Sequence, residues 1–285
     1  MNIFSLTRYR KTYKNWISVS FKVLTRKYPI VGKFRTGEVI IIYNSFQAWL
    51  ASYGVNVKYD PEKDITSFSF KGQNYKFRGA GKNGDLADVF GSEEFKSIGF
   101  AGKTVLDIGA NIGDSTVYFA KNGAKKVIAV EPFPKSYRYL EENIALNHVE
   151  NIASILNMAV SSTDGLIHLD PDADDTTNLM AKDMVNGQEI KTITLMNLIK
   201  QNNLNQQAVL KIDCEGCEYE IFSNLDVNIL KVFDSIWIEY HEGIKKTENV
   251  ILSKLKMVKN GANFRIEIIK KDRKSGYIIA NKVNS

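Results

Sequence analysis

Residues 105–120 read VLDIGANIGDSTVYFA, and this stretch decides the fold class. An apolar strand carries Asp107 near its end, a glycine-rich turn spans residues 109–113, and a helical pattern follows. Strand–turn–helix units that repeat along a chain form a mostly parallel sheet with helices on both faces. Ligands of such sheets bind beyond the carboxyl ends of the strands. The turn is therefore a predicted ligand site.

The same rhythm continues outward from this stretch. The predicted elements are a strand in KVIAVEP, a helix in SYRYLEENIALN, a third strand in ASILNMAV, a long polar loop, a strand in AVLKID, a helix from about Cys217, a strand in SIWIEY and a helix in NVILSKLKMVKN. The chain closes with FRIEIIKK and SGYIIANK across a polar turn, which predicts an antiparallel hairpin at the sheet edge. We therefore expect an α/β, Rossmann-like fold with a mostly parallel seven-stranded sheet.

The first third of the chain has a different character. Residues 1–36 are basic and aromatic and predict a helical arm. Short strand-like pieces follow (EVIIIY, NVKYD, ITSFSF and YKFRG), with a short helix in SFQAWLASYG after the first. We predict two domains: residues 1–95 form the arm and a small α+β cap, and residues 96–285 form the Rossmann-like domain.

Charge is distributed unevenly. The 285 residues carry a formal net charge of +6, yet nine basic and no acidic residues precede Glu38. No stretch approaches the ~20 apolar residues that span a bilayer, and no secretory signal is recognisable. These features predict a cytoplasmic protein, soluble or peripherally attached to a membrane.

Two acids predict the kind of ligand. In a dinucleotide site the turn would read G-x-G-x-x-G, but Asn111 replaces the middle glycine. A carboxylate at Asp107 disfavours a pyrophosphate and favours a ligand with an ammonium and a sulfonium group, as in S-adenosylmethionine. Glu131, at the end of the second strand, is suited to accept hydrogen bonds from ribose hydroxyls.

Four blocks carry a resemblance to a known family. VLDIGANIGDSTVYFA, VIAVEPFPKSYRYLEENIALN, LKIDCEGCEYEIF and IWIEYHE resemble, in the same order, the FkbM family of S-adenosylmethionine-dependent methyltransferases. The resemblance implies a class I methyltransferase fold, S-adenosylmethionine as cofactor and methylation of hydroxyl oxygens on small molecules. The implied cofactor-binding residues are Asp107, Gly109, Ala110, Asn111, Gly113 and Asp114 at the methionine end, Glu131 at the ribose, and Pro132, Phe133, Asn157, Met158 and Ala159 around the adenine.

The candidate catalytic residues follow the fourth and fifth predicted strands. His241 is the first candidate for general base because its ordinary pKa is near 6.5. Asp213 could orient that base or contact the cationic cofactor, and Glu215 is either catalytic or a cap of the next helix. A divalent cation held by Asp213, His241 and Glu242 is an alternative; we predict no metal site.

Cys214 and Cys217 depart from the family pattern, which usually has aliphatic or small residues there. A C-x-x-C pair suggests zinc or redox chemistry, but zinc requires about four ligands and the chain has no further cysteine. Neighbouring acids raise thiol pKa values and disfavour redox activity. We predict structural cysteines and no disulfide framework.

The predicted function is methyl transfer to an oxygen, most simply a hydroxyl of a sugar or glycan. Two alternatives remain open: a carboxylate acceptor, and a non-catalytic protein that binds S-adenosylmethionine. The basic arm has three interpretations, namely a peripheral contact with anionic membrane through residues 1–36, a nucleic-acid contact, or a helix packed on the cap. No nucleic-acid motif supports the second, and the sequence does not predict the oligomeric state.

Overall fold

The structure, a computed structural model, describes residues 3–80, 85–172, 187–242, 246–258 and 263–283. The chain divides into two compact units, Met1–Glu94 and Phe95–Ser285. Within the described residues, no helix combines the length and the apolar character needed to cross a bilayer.

The first unit is built from short helices and strands. Its elements are α1 (Ile3–Thr12), α2 (Trp16–Leu24), β1 (Ile30–Lys33), β2 (Val39–Ile42), α3 (Ser45–Ala51), β3 (Lys58–Asp60), β4 (Ile65–Phe70), β5 (Gln73–Arg78), a π-helical turn at Ala87–Ser92 and a 3₁₀ turn that begins at Glu94 and ends at Ser97. Strands β1 and β2 form an antiparallel hairpin, and β3, β4 and β5 form an antiparallel sheet. Strand β1 corrects the prediction that residues 1–36 are only a helical arm.

Strand β1 forms because its residues alternate between the interior and solvent. Ile30 is buried and Val31 is exposed, and the partner strand β2 repeats the alternation with Ile40 and Ile42 inside. This period of two is the pattern of a half-buried hairpin. In the sequence, the basic residues on both sides of β1 make this alternating pattern hard to recognise.

The second unit contains the predicted large sheet. Its elements are β6 (Thr104–Ile108), α4 (Asp114–Lys121), β7 (Lys126–Val130), α5 (Pro134–Asn147), β8 (Ala153–Leu156), β9 (Met158–Ser161), β10 (Gly165–Leu169), β11 (Gln188–Thr194), α6 (Leu195–Gln201), β12 (Ala208–Ile212), α7 (Cys217–Ser223), a 3₁₀ turn at Val227–Val232, β13 (Phe233–His241), α8 (Thr247–Met257), β14 (Asn263–Lys270) and β15 (Ser275–Val283). Among the described residues, seven strands pair in the order β14-β15-β13-β12-β6-β7-β8.

The central strands are parallel and covered on both faces. Strand β12 is buried at all five positions, and β6 and β7 are buried at four of five. Strand β15 runs antiparallel to both β13 and β14. The predicted fold class, a mostly parallel seven-stranded sheet with a terminal antiparallel hairpin, is confirmed.

Strand order reverses between β6 and β12. From β6 the chain builds outward through β7 and β8, and it later returns to place β12 and β13 on the other side of β6. This neighbourhood is the topological switch point, where ligands of open α/β sheets bind. The turn after β6 and the loop after β12 therefore lie side by side.

Two predicted segments differ in the structure. The single third strand is divided at Asn157: β8 joins the large sheet, and β9 pairs with β11 in a separate three-stranded sheet. The predicted long polar loop contains β10, β11 and α6. The two strands were missed because β10 is only five residues long and β11 is polar except for Ile190 and Ile193.

Candidate functional site

The strand that leads into the glycine turn is fixed by a buried ion pair. Asp107 is fully buried, and its Oδ1 lies 3.1 Å from Nζ of Lys211 on the neighbouring strand β12. Asp107 Oδ2 accepts hydrogen bonds from the hydroxyls of Ser115 and Thr116, both at 2.7 Å. The charge of Asp107 is thus compensated inside the protein. These contacts hold β6, β12 and α4 together. A contact between Asp107 and a cationic ligand stays a prediction.

Lys211 also holds the turn itself. Its Nζ donates a 2.7 Å hydrogen bond to the carbonyl oxygen of Gly109. Burial by itself lowers the pKa of Lys211, but the carboxylates of Asp107, Asp213 and Asp114 outweigh burial and raise the pKa above its ordinary value. Lys211 is therefore a permanent cation beneath the turn. Asp114, which the sequence places in the ligand turn, is buried as the first residue of α4, and burial raises its pKa to about 7.

Gly109 is required by contact as well as by conformation. It has a φ of +75°, and a Cβ atom at this position would collide with the carbonyl oxygen of Asp213. The amide of Asp213 donates to the carbonyl of Ile108 at 3.0 Å. The turn and the loop after β12 are thus in direct backbone contact, and only glycine permits this approach.

Glu131 links the turn to the second strand. It is buried; its Oε2 accepts from the amide of Asn111 at 2.8 Å, and its Oε1 accepts from the amide of Phe133 at 2.9 Å. Asn111 itself has a left-handed φ of 47°. The structure therefore brings Asn111 and Glu131 together, as the prediction of one ligand site requires.

The predicted adenine border is divided between two environments. Asn157 donates through Nδ2 to the carbonyls of Glu131 at 2.8 Å and Pro132 at 3.2 Å, so it holds the loop after β7 in place. Phe133 is buried against Leu169 and Ile190. Ala159 instead lines a separate cavity of about 220 Å³ whose other lining residues are Val160, Ser161, Ile167, Thr192, Gly216, Cys217 and Glu220.

The loop after β12 is closed by the two cysteines and by Glu218. Cys214 and Cys217, predicted as structural cysteines with no disulfide framework, form a disulfide with Cα atoms 5.5 Å apart. The sequence did not predict this bond. Glu218 is fully buried, and its Oε1 accepts from the amides of Cys214 and Gly216 at 3.2 and 3.3 Å. The amide hydrogen bonds of Glu218 hold the backbone of this loop in its turn.

His241 lies among carboxylates at the end of β13. Its Nε2 is 3.4 Å from Glu215 and 3.7 Å from Glu239, and its Nδ1 is 3.5 Å from Glu218. Burial by itself lowers the pKa of His241, but Glu218, Glu215 and Asp213 outweigh it and raise the pKa from 6.5 to about 9. His241 is therefore an imidazolium at neutral pH. The ordinary pKa on which its predicted base role rested does not apply in the fold.

Glu239 is the titratable group that the sequence did not single out. It is 8% exposed and accepts a 2.9 Å hydrogen bond from Nζ of Lys271. Burial and the charge of Asp213 raise its pKa to about 7, although Lys271 and His241 act in the opposite direction. A carboxyl with this pKa can exchange a proton at neutral pH, as general acid–base catalysis requires.

The carboxylate of Asp213 differs from its neighbours. It is half-buried, and within the described residues its oxygens make no hydrogen bond or close ion pair. It lies after β12, directly beside Gly109. An open carboxylate beside the glycine turn suits a ligand with a positive charge.

Distance alone would permit a metal ion here. Ligand atoms of Asp213, Glu215 and His241 lie within 4.8 Å of one another. The proton that His241 carries at neutral pH competes with a metal for the same nitrogen. Glu242, the third ligand in the predicted alternative, instead accepts hydrogen bonds from the amides of Thr247 and Glu248 at the start of α8.

Several residues of this site could not be chosen from the sequence. Lys211, Ser115 and Thr116 are ordinary strand and helix residues until the fold brings them to Asp107. A lysine within an otherwise apolar strand, AVLKI, is the one signal available, because a buried charge requires a partner.

Fold and site together define a class I methyltransferase-like protein: a Rossmann-like sheet with a glycine turn at its switch point and acids at the strand ends. The model of the methyltransferase FkbM domain matches residues 107–271, more than half of the chain. The chain therefore belongs to the FkbM methyltransferase family, as its sequence motifs predicted. Use of S-adenosylmethionine is implied by that family.

Curated relatives include proteins of two kinds. The hexuronic acid methyltransferase AglP of Haloferax volcanii is 26% identical over 179 residues, which cover 62% of this chain and 70% of that protein. A tRNA(Phe) (4-demethylwyosine(37)-C(7)) aminocarboxypropyltransferase of Methanocaldococcus jannaschii is 32% identical over 132 residues, and 45% of each chain is covered. The chain thus spans less than half of the tRNA-modifying relative.

Solved structures align with this chain at low identity. The methyltransferase FkbM from Methylobacillus flagellatus aligns with a TM-score of 0.46 at 15% identity, covering 68% of this chain and 47% of that one. A methyltransferase from Streptococcus mutans, solved in complex with SAH, aligns with a TM-score of 0.39 at 12% identity.

Proposed function

We propose that this protein transfers the methyl group of S-adenosylmethionine to a hydroxyl oxygen of a sugar or sugar acid. The observation that carries the proposal is the cluster of Asp213, Glu239 and His241 at the strand ends, in which the backbone of Asp213 contacts the glycine turn. Family membership supports the methyl transfer, and the relative named a hexuronic acid methyltransferase supports a sugar-acid acceptor.

The site residues fit a cationic cofactor. Among the described residues the carboxylate of Asp213 makes no hydrogen bond, and it lies at the glycine turn, where the ammonium of the methionine part would lie. Glu131 remains at the end of β7 with both oxygens directed at backbone amides of the turn and the next loop, so a ribose would share those oxygens. When bound, the cofactor supplies a methyl group on a sulfonium, ready for in-line displacement.

The residues divide the remaining work. Glu239 accepts the proton of the acceptor hydroxyl. With a pKa of about 7, a large fraction of its carboxyl is ionised at neutral pH, and this carboxylate is a stronger base than that of an ordinary glutamate. His241, as an imidazolium, fixes the carboxylates of Glu215, Glu218 and Glu239 around it. The side chain of Glu215, a predicted catalytic residue, is half-exposed, and its negative charge lies 3.4 Å from Nε2 of His241. Positioning of two reactants supplies ~7–11 kcal/mol in favourable cases.

A carboxylate acceptor is the second candidate, favoured by the name of the AglP relative. Such an acceptor needs no base, but the carboxylates of Asp213, Glu215 and Glu239 would repel it. The acid-rich site therefore favours a hydroxyl.

The test is mass spectrometry of hexuronic-acid glycans after incubation with methyl-labelled S-adenosylmethionine. Mild alkali removes a methyl ester and leaves a methyl ether, so alkali-stable label indicates a hydroxyl acceptor. Glu239→Gln should slow turnover about 10²–10⁴-fold, while Glu189→Gln, an exposed acid on β11, should have no effect.

Three outcomes would contradict the proposal. Alkali-labile label would replace the hydroxyl by a carboxylate. Transfer of an aminocarboxypropyl group in place of a methyl group would show the type of reaction named for the tRNA-modifying relative. Cofactor binding by calorimetry without turnover on any glycan would favour the non-catalytic alternative.

A further inference from the structure

Helix α2 carries an apolar stripe that is exposed among the residues the structure describes. Ile17, Phe21 and Leu24 are 67%, 60% and 58% exposed, and their spacing of four and three residues places them on one face of the helix. The opposite face supplies Val19 to the interior. We call these three exposed residues the α2 stripe.

A second exposed apolar group belongs to the same unit. Val31, Val39 and Ile41 project from the solvent face of the β1–β2 hairpin, where Val31 pairs with Ile41. Asn15, which precedes α2, donates to the carbonyl of Val31 and accepts from the amide of Lys33. These two hydrogen bonds hold the start of the helix against the hairpin.

A groove lies beside the α2 stripe. It has a volume of about 440 Å³ and is lined by Lys14, Asn15, Trp16, Ile17, Ser18 and Phe21. Trp16 is half-buried, so its ring edges the groove with part of its surface in solvent. Tryptophan at the border of an apolar surface is typical of residues that sit at a membrane–water interface.

The segments that flank α2 in the sequence carry charge of one sign. Exposed basic side chains precede and follow α2, and no acid occurs before Glu38. These exposed residues are Arg10, Lys11, Lys14, Arg26, Lys27, Lys33 and Arg35. A basic surface with apolar and aromatic residues at its centre has the composition of an interfacial helix that binds anionic lipid.

We propose that α2 and the β1–β2 hairpin dock this protein on an anionic membrane surface. The α2 stripe inserts at the headgroup level, and the surrounding lysines and arginines pair with lipid phosphates. A second copy of the chain fits less well, because two like-charged basic surfaces would repel each other. Nucleic acid would use the basic charge but would leave the aliphatic side chains of the stripe in water.

The experiment is vesicle co-sedimentation of the full chain. Vesicles of phosphatidylcholine with and without phosphatidylglycerol are compared at low and high salt. The stripe variant is Ile17→Ser/Phe21→Ser/Leu24→Ser. The matched control is Met257→Ser on α8, which removes another exposed apolar side chain.

A charge variant separates the two contributions. Lys14→Gln/Arg26→Gln/Lys27→Gln removes three exposed cations of the surface. The control Lys125→Gln/Lys126→Gln removes two exposed cations at the start of β7. Thermal melting followed by circular dichroism verifies that each variant is folded.

We expect the wild type to bind vesicles that contain phosphatidylglycerol. The stripe variant should lose at least about tenfold in partition coefficient. The charge variant should bind more weakly than the wild type at low salt and should lose less binding when salt is added, because fewer charges remain to be screened. Both controls should match the wild type.

Each of four results would overturn the proposal. The wild type could stay in the supernatant with every vesicle, or the stripe variant could bind like the wild type. Sedimentation velocity could show a dimer that the stripe variant dissociates, without vesicle binding. A gel shift could show that the basic residues bind tRNA while vesicles remain unbound.

Discussion

Replacing Lys211 by methionine tests whether the Asp107–Lys211 pair stabilises the turn. Methionine keeps most of the length of the lysine but removes its charge and its hydrogen bond to Gly109. Asp107 is fully buried, and after the change it retains only its bonds to Ser115 and Thr116. An uncompensated carboxylate would then lie in the centre of the sheet.

The size of the effect follows from the burial of both partners. Their side chains are 4% and 0% exposed, and removing one partner of a buried pair costs about 3–5 kcal/mol of unfolding free energy. A second change, Asp107→Asn, removes the stranded charge and should restore most of that loss. Its amide oxygen can still accept from Ser115 or Thr116.

Urea unfolding of the two single variants and the double variant measures the coupling. Lys103→Met is the control, because Lys103 pairs with Asp234 at 2.9 Å with side chains 28% and 23% exposed. A partly exposed pair contributes about 1 kcal/mol or less. The reasoning is refuted if Lys211→Met costs no more than Lys103→Met, or if Asp107→Asn restores nothing in the Lys211→Met background.

Three further predictions concern the turn and the acid cluster. Gly109→Ala should lower stability by about 4 kcal/mol or prevent folding, because its Cβ meets the backbone of Asp213; wild-type urea unfolding would contradict this. Glu131→Gln should weaken S-adenosylmethionine binding by tens of fold in calorimetry, because one of the two oxygens that accept from the amides of Asn111 and Phe133 is replaced by an NH2 group, which donates. Unchanged affinity would exclude Glu131 from cofactor binding. The pKa of His241 is raised to about 9 in the folded protein, so its protonation stabilises the folded state. This stabilisation is complete below about pH 6.5, the pKa of the unfolded chain, and is lost as pH rises through about 9. The unfolding free energy of His241→Gln should therefore fall less than that of wild type between these values, and parallel curves would contradict the assignment.

The sequence by itself determined the seven strands of the large sheet, four of the helices between them and the position of the ligand turn. All of these follow from local signals: apolar runs of strand length, helical periodicity, and glycines where the backbone must be left-handed, as at Gly109. The same local signals failed where strands are short or mostly polar. Strand β1 and the segment with β10 and β11 were missed because their partners, not their composition, make them strands.

The chemical state of the site was decided only by the tertiary structure. Asp107 is an acid beside a glycine turn in the sequence, but its partner Lys211 lies on another strand and becomes adjacent when β12 pairs with β6. His241 has an ordinary pKa as a free residue and a pKa of about 9 among Glu215, Glu218 and Asp213. Charge state depends on burial and on neighbours distant in the chain, and these exist only after the sheet has brought its strand ends together.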